Sequence, residues 1–357
     1  MPDARVYPYL LEPQLKPLIW GGDALVRHYY KTGDPNAKYG ESWECWDQNR
    51  TLNGPLTGKT VADLRERLGA ELMGPLDPSR IFPVLTKIID ARDSLSVQVH
   101  PGDAHARAHE HQPNGKTECW YILSAAAGAH LILGWKRDTT RDEYLQRVAD
   151  GSLTELLRPV PVKPGDVFYL PAGTLHAIGA GIQLFETQQA SDLTYRIFDW
   201  NRVDAQGRSR ELHVQKAADV LDYRRSEAGA LNPLEYRTGG LNRAALVADP
   251  RFTLERIVVT KTGGQIDLDG MPLILWALDG GIEISAGAEL VHLPPYATAL
   301  IPAAAGSVKV RSGDADAKLL AAAVPADARA LARRFAAAGV DGASVDRFAA
   351  QFSTIQP

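Results

Sequence analysis

The sequence predicts a mainly β protein with helical additions, arranged as two antiparallel barrels or sandwiches. Short apolar runs of strand length, bounded by Gly, Pro and Asp turns, recur from the first residues to about position 324. Helical spacing is limited to a few short stretches. Residues able to do chemistry, set in period-2 patterns, are concentrated in the first two thirds. The expected organisation is therefore a site-bearing unit over 1–232, a plainer β unit over 233–324 and a helical tail over 325–357. A chain of 357 residues is long enough to bury two cores.

Composition narrows the class. Apolar residues make up 45% and charged residues 23%, as in ordinary soluble globular proteins. The formal net charge of -4, with no basic block, argues against nucleic acid or an anionic membrane surface as a partner. No apolar stretch approaches a membrane span. The opening residues lack the basic and apolar regions of a signal peptide. Two cysteines, Cys45 and Cys119, cannot form a disulfide framework, and a cytoplasmic setting is expected.

In chain order, 17–22 and 39–44 read as strands closed by tight turns. Thr60 opens an amphipathic helix that ends at Gly69. The apolar run 81–89 is a strand leading to the centre of the pattern, residues 95–123. There Ser96, Gln98 and His100 share one face and Val97 and Val99 the other. After a Pro-Gly-Asp turn and a polar loop, Lys116, Glu118 and Trp120 share a face of the next strand, and Cys119 points to the opposite side as a small apolar residue. Two neighbouring strands can then aim Gln98, His100 and Glu118 at one point, a donor set suited to a divalent metal of the zinc type. His105 and His109, four apart in the intervening segment, would suit a metal if helical, but the stronger reading is a polar surface loop or short helix serving as a lid.

Residues 139–157 show helical spacing, with Asp138 or Thr139 as cap and Pro159 and Pro161 as stops. Two turns bracket the strand 167–170, and the strand after them carries Thr174 and His176 on one face. This spacing belongs to a small antiparallel barrel, and its turn returns His176 to the earlier donors. Strands follow at 182–187 and 193–200. Glu186 and Arg196 lie in apolar neighbourhoods, so each charge should meet a buried or ligand partner. A closing helix is expected over 211–220. Beyond 233, further strand-length runs suggest a second β-sandwich whose one histidine, His292, has no companions and is structural. The tail reads as two short helices joined at 339–342.

Several of these stretches together resemble the type I mannose-6-phosphate isomerases, zinc enzymes of the cupin superfamily. They are I-W-G-G at 19–22, Y-G-E-S-W-E at 39–44, S-V-Q-V-H-P at 96–101, G-K-T-E-C-W-Y-I-L at 115–123, P-A-G-T-L-H-A-I at 171–178 and S-D-L-T-Y-R-I-F-D-W at 191–200. They stand in family order over the first two thirds of the chain. The resemblance implies a bicupin of the short bacterial form, with an active first barrel and a degenerate second one. It implies one Zn2+ per chain on Gln98, His100, Glu118 and His176, with Arg196 as the active-site arginine. Ser96, Lys116 and Glu186 would line the sugar-phosphate pocket, and the protein would be a monomer or weak homodimer.

The implied reaction moves a proton between C1 and C2 of a sugar phosphate through an enediolate. A metal acts there as a Lewis acid, and a guanidinium supplies fixed positive charge. Either Glu186 or Lys116 is available as the proton carrier, and Ser96, Lys116 or Lys87 as the phosphate contact. Two other readings of the same residues are a non-haem iron oxygenase and a non-catalytic sugar-phosphate sensor. Gln98, Lys116 and Arg196 weigh against the first, and the complete ligand set against the second.

Overall fold

The computed structural model describes residues 3–204, 206–327 and 329–353. The fold is mainly β, built from antiparallel sheets. Beside the sequential division read from the sequence, the described residues group into two interleaved units. One comprises 3–14, 43–87 and 232–353, and the other 15–42 and 88–231. Unit boundaries fall inside the strands Gln14–Gly22, Tyr39–Cys45 and Val84–Ala91, and one more falls at 231/232 outside any strand.

The unit holding 88–231 contains the residues singled out above. Its five-stranded sheet runs in the order Tyr195–Phe198, Val97–Val99, His176–Ile178, His130–Trp135, Leu157–Pro161. Registration lines up Arg196, Gln98, His176 and Leu133 across this sheet, so all four share one face. A second sheet includes Ile182–Gln189, Glu118–Ala125 and Val167–Leu170, where Glu186, Trp120 and Phe168 stand opposite one another. Between the two sheets lies an apolar cluster with Trp120, Ile122, Phe168 and Leu184 on one side and Leu131, Leu133 and Ile178 on the other. The reverse face of the five-stranded sheet, with Val97, Val99, Ala177 and Ile197, is buried under Tyr144, Leu153, Leu156, Ala217 and Leu221. This accounts for the alternation around Gln98. The two valines face a helical layer, and the polar residues between them face the inter-sheet space.

Local signals explain the helices. Helix Val61–Leu68 starts at a capping box in which Thr60 and Asp63 satisfy each other's backbone N–H groups, and it ends at Gly69, whose φ of 51° suits a residue without Cβ. The helical stretch expected over 139–157 is shorter. Thr140, not Asp138 or Thr139, caps Arg141–Ala149 by accepting from the Glu143 N–H, while the Thr139 hydroxyl donates to the Glu143 carboxylate. Gly151, at φ 79°, breaks the helix, and a 3-10 turn follows over Leu153–Leu156. Pro159 and Pro161 then lie within a strand, which is tolerated because Leu157–Pro161 is the sheet edge. The helix after 211 is limited to Val214–Ala218, and the histidine-bearing segment is a helix, Asp103–His109.

The other unit holds a seven-stranded sheet in the order Tyr9–Leu11, Thr298–Ile301, Leu273–Asp279, Ala317–Ala323, Thr253–Val259, Leu241–Ala248, Leu234–Thr238. A four-stranded sheet faces it: Gly264–Asp267, Ser307–Ser312, Ile282–Ala286, Glu289–Leu293. The apolar cluster shared by the two includes Leu275, Leu319, Ile284 and Val310. His292 is exposed and stands opposite Glu283. The tail forms helices Ala330–Ala337 and Gly342–Ser353, and the expected tail residues 354–357 lie outside the described residues.

Candidate metal centre

Four polar side chains meet in the space between the two sheets. Gln98 and His176 are paired across adjacent strands of one sheet, and His100 follows the same strand as Gln98 by one further alternation. Glu118 starts a strand of the other sheet. The ligand atoms of His100, Glu118 and His176 all lie within 4.8 Å of one another, and all three residues are buried. Nε2 of His176 is 3.4 Å from one Glu118 oxygen, and Nε2 of His100 is 3.5 Å from the other. The Gln98 carboxamide adds a fourth group, 3.2 Å from His176 Nε2. Turning that amide about its last bond would present its oxygen at the same point.

Both imidazoles are prepared as ligands by the backbone. His100 Nδ1 is 2.7 Å from the Leu193 carbonyl and His176 Nδ1 is 2.9 Å from the Thr174 carbonyl. A carbonyl only accepts, so each Nδ1 carries the proton and each Nε2 keeps its lone pair towards the centre. Burial pushes the His176 pKa down to about 4, and the Lys116 ammonium adds to this against the Thr174 hydrogen bond and Glu186. His176 is therefore neutral at neutral pH. Two imidazoles with Nε2 turned to the centre and a carboxylate are a donor chemistry that fits a zinc-type divalent ion.

The other residues singled out in the sequence have these surroundings. Lys116 Nζ is 2.8 Å from Glu118 and 3.7 Å from Glu186. Burial alone would lower its pKa, but the two carboxylates outweigh burial and hold it above the usual lysine range. Lys116 precedes the strand, which begins at Glu118, instead of lying within it. Glu186 also accepts from Trp120 Nε1 at 3.0 Å, a partner implied by their opposed positions in the sheet. Ser96 is buried and donates to the Gln98 oxygen at 3.3 Å. Arg196, half-buried, stands opposite Gln98, and its Nη1 donates to the Glu211 carbonyl at 3.0 Å. Burial, with Arg210 beside it, draws its pKa down from a value so high that the charge is kept. Lys87 is also buried and lies over the Trp43 ring in the other unit, 5.0 Å from its centre. The rings of His105 and His109 lie tilted at 34° with centres 4.3 Å apart, and no third ligand joins them in a metal-sized cluster among the described residues.

Comparison with known proteins gives one consistent family. Residues 9–125 match the catalytic domain of type I phosphomannose isomerase. The chain is 46% identical over 219 residues to the mannose-6-phosphate isomerase ManA of Bacillus subtilis, an alignment covering 60% of this chain and 68% of that one. It is 36% identical over 324 residues to the mannose-6-phosphate isomerase of Streptococcus mutans, covering 88% and 97%. The crystal structure of the mannose 6-phosphate isomerase from Bacillus subtilis superposes with a TM-score of 0.81 at 30% identity, over 88% of this chain and 99% of that one. A variant of the phosphomannose isomerase from Salmonella typhimurium shares the fold, with a TM-score of 0.71 at 16% identity over 88% and 99%.

Proposed function

The chain belongs to the type I phosphomannose isomerase family, and we propose that this mannose-6-phosphate isomerase interconverts mannose 6-phosphate and fructose 6-phosphate by proton transfer through an enediolate. The ion is one zinc per chain, held by Gln98, His100, Glu118 and His176. The observation that carries this reading is the convergence of three buried ligand atoms within 4.8 Å, with both histidines already in the ligating tautomer. When bound, the ion supplies Lewis-acid stabilisation of the negative charge that develops on the sugar oxygens.

The protein's own groups have separate roles. Arg196 places fixed positive charge on the same face as Gln98, where it stabilises the oxyanion character of the transition state. Lys116 is held charged by two carboxylates, which suits it to face a sugar oxygen as a cation or acid. Glu186 is then the acceptor for the carbon-bound proton, oriented by the Trp120 indole. Ser96 and Lys116 line the substrate pocket. The two β units are read as a bicupin whose second barrel lacks the donor set. The cysteine-poor composition and modest net charge suit a cytoplasmic enzyme acting on a small sugar phosphate.

A coupled assay of mannose 6-phosphate to fructose 6-phosphate, before and after a chelator, tests the reading. Turnover should vanish on chelation and return with stoichiometric zinc. Full turnover by metal-stripped protein would refute it, and O₂ consumption with oxidation of the sugar phosphate by the iron(II)-loaded protein, in place of isomerisation, would point to the oxygenase chemistry.

A further inference from the structure

Arg196 sits on the outermost strand of the five-stranded sheet, Tyr195–Phe198. On its inner side this strand pairs with Val97–Val99, with a register irregularity just past Arg196. The outward backbone N–H and C=O of an edge residue have no strand to meet. At Arg196 both groups meet His213: the Arg196 N–H donates to His213 Nδ1 at 3.1 Å, and the His213 N–H donates to the Arg196 carbonyl at 2.6 Å. The imidazole thus takes the place of a neighbouring strand's carbonyl. Two residues earlier, the Glu211 carbonyl accepts from the Arg196 guanidinium at 3.0 Å. One short segment therefore grips the arginine at both ends of the residue.

We propose that His213 is a positioning residue for the isomerase reaction, acting through the Nδ1 hydrogen bond that fixes the backbone of Arg196. The proposal rests on the role given to Arg196 above. Since a backbone N–H only donates, His213 Nδ1 must be bare, and the proton stays on Nε2, which lies 3.9 Å from the Glu211 carboxylate. His213 occupies the residue before helix Val214–Ala218, where a side chain commonly caps the helix, yet it makes no cap hydrogen bond. Its side chain is committed to Arg196 instead. The Arg196 Nε is buried and has no hydrogen-bond partner among the described residues. A guanidinium works at full effect only within a narrow range of positions, because a displacement of about 1 Å at a reacting centre costs on the order of 10²-fold in rate.

The test compares four zinc-loaded, full-length variants: H213N, whose amide oxygen can replace Nδ1, H213L, which keeps bulk without an acceptor, R196K, and R196K combined with H213L. H213L should lower kcat about 10- to 100-fold with KM changed less than about threefold, while H213N stays within about threefold of wild type in kcat. In the R196K background H213L should add less than about threefold, because the two residues act through one group. Zinc content and Tm should match wild type in both single His213 variants. A wild-type kcat in H213L, equal damage in H213L and H213N, or loss of metal or folding in both would overturn the proposal. If R196K itself turned over normally, the role of Arg196 would fail, which is a separate result from a normal H213L beside an impaired R196K.

Discussion

Acidifying the metal-free protein should cost about 3 kcal/mol of stability through His176 alone. The ring is buried, and its folded-state pKa is pushed down to about 4 from an ordinary 6.5. Above pH 6.5 the ring is neutral in both the folded and unfolded chains and contributes no pH dependence. Between 6.5 and 4 the unfolded chain holds a proton that the folded one does not, so stability falls as the pH falls. Below 4 both forms are protonated and the slope disappears. The depressed interval, at about 1.4 kcal/mol per pH unit, gives a total of about 3 kcal/mol. Urea unfolding of chelator-treated wild type and His176→Gln, followed by circular dichroism from pH 7.5 to 4, isolates this contribution as the difference between two curves. Wild type should lose about 3 kcal/mol more than the variant across that range. Parallel curves would show that His176 is not held neutral by burial. Zinc on Nε2 should flatten the wild-type curve until the ion is released, because the ligated nitrogen is closed to protons.

Arg196→Lys should lower kcat by roughly 10²-fold while KM changes less, as expected when one oxyanion contact worth about 3 kcal/mol is lost, and steady-state kinetics would read it. A raised KM with normal kcat would mean that Arg196 holds the phosphate. Lys116→Met should abolish turnover yet slow zinc loss to a competing chelator, because the ammonium, 2.8 Å from a Glu118 oxygen, would compete with an ion for that carboxylate. Faster zinc loss would mean that Lys116 supports the ligand instead of competing for it. His292→Ala should leave zinc content and kcat at wild-type values, since this exposed residue stands opposite Glu283 in a sheet of the other unit. A stoichiometric second metal that disappears in this variant would contradict it.

Much of the candidate centre was legible because strand periodicity is simple. Alternation in S-V-Q-V-H sorts Gln98 and His100 from Val97 and Val99, and the helical layer over the valines supplies the physical reason. The Thr60 cap and the Gly69 stop were legible for the same kind of reason: each acts within four residues of itself. Contacts that join distant segments left no comparable mark. Nothing local in Tyr9–Leu11 states that Tyr9 pairs with Leu300, so the interleaving of the two units was hidden. Prolines at 159 and 161 read as stops because the sequence does not say which strand is an edge, and only an edge strand accepts them.

The tautomers of the two metal-facing histidines were also out of reach, since they are set by the carbonyls of Leu193 and Thr174, and any residue type supplies a carbonyl. His213 combines both difficulties. It lies 17 positions from Arg196 and bonds to that residue's backbone, so no pairing of side-chain types links them. A reading based on side-chain chemistry can therefore find the groups that touch a metal or substrate and still miss those that hold them in place. In this protein those holding contacts run largely through the backbone: two carbonyls orient the histidines, and an imidazole meets the N–H of the arginine. Substitution of Leu193 or Thr174 leaves its carbonyl present, whereas substitution of His213 removes its acceptor. His213 is consequently one point at which the backbone support of the centre can be cut by a single side-chain change.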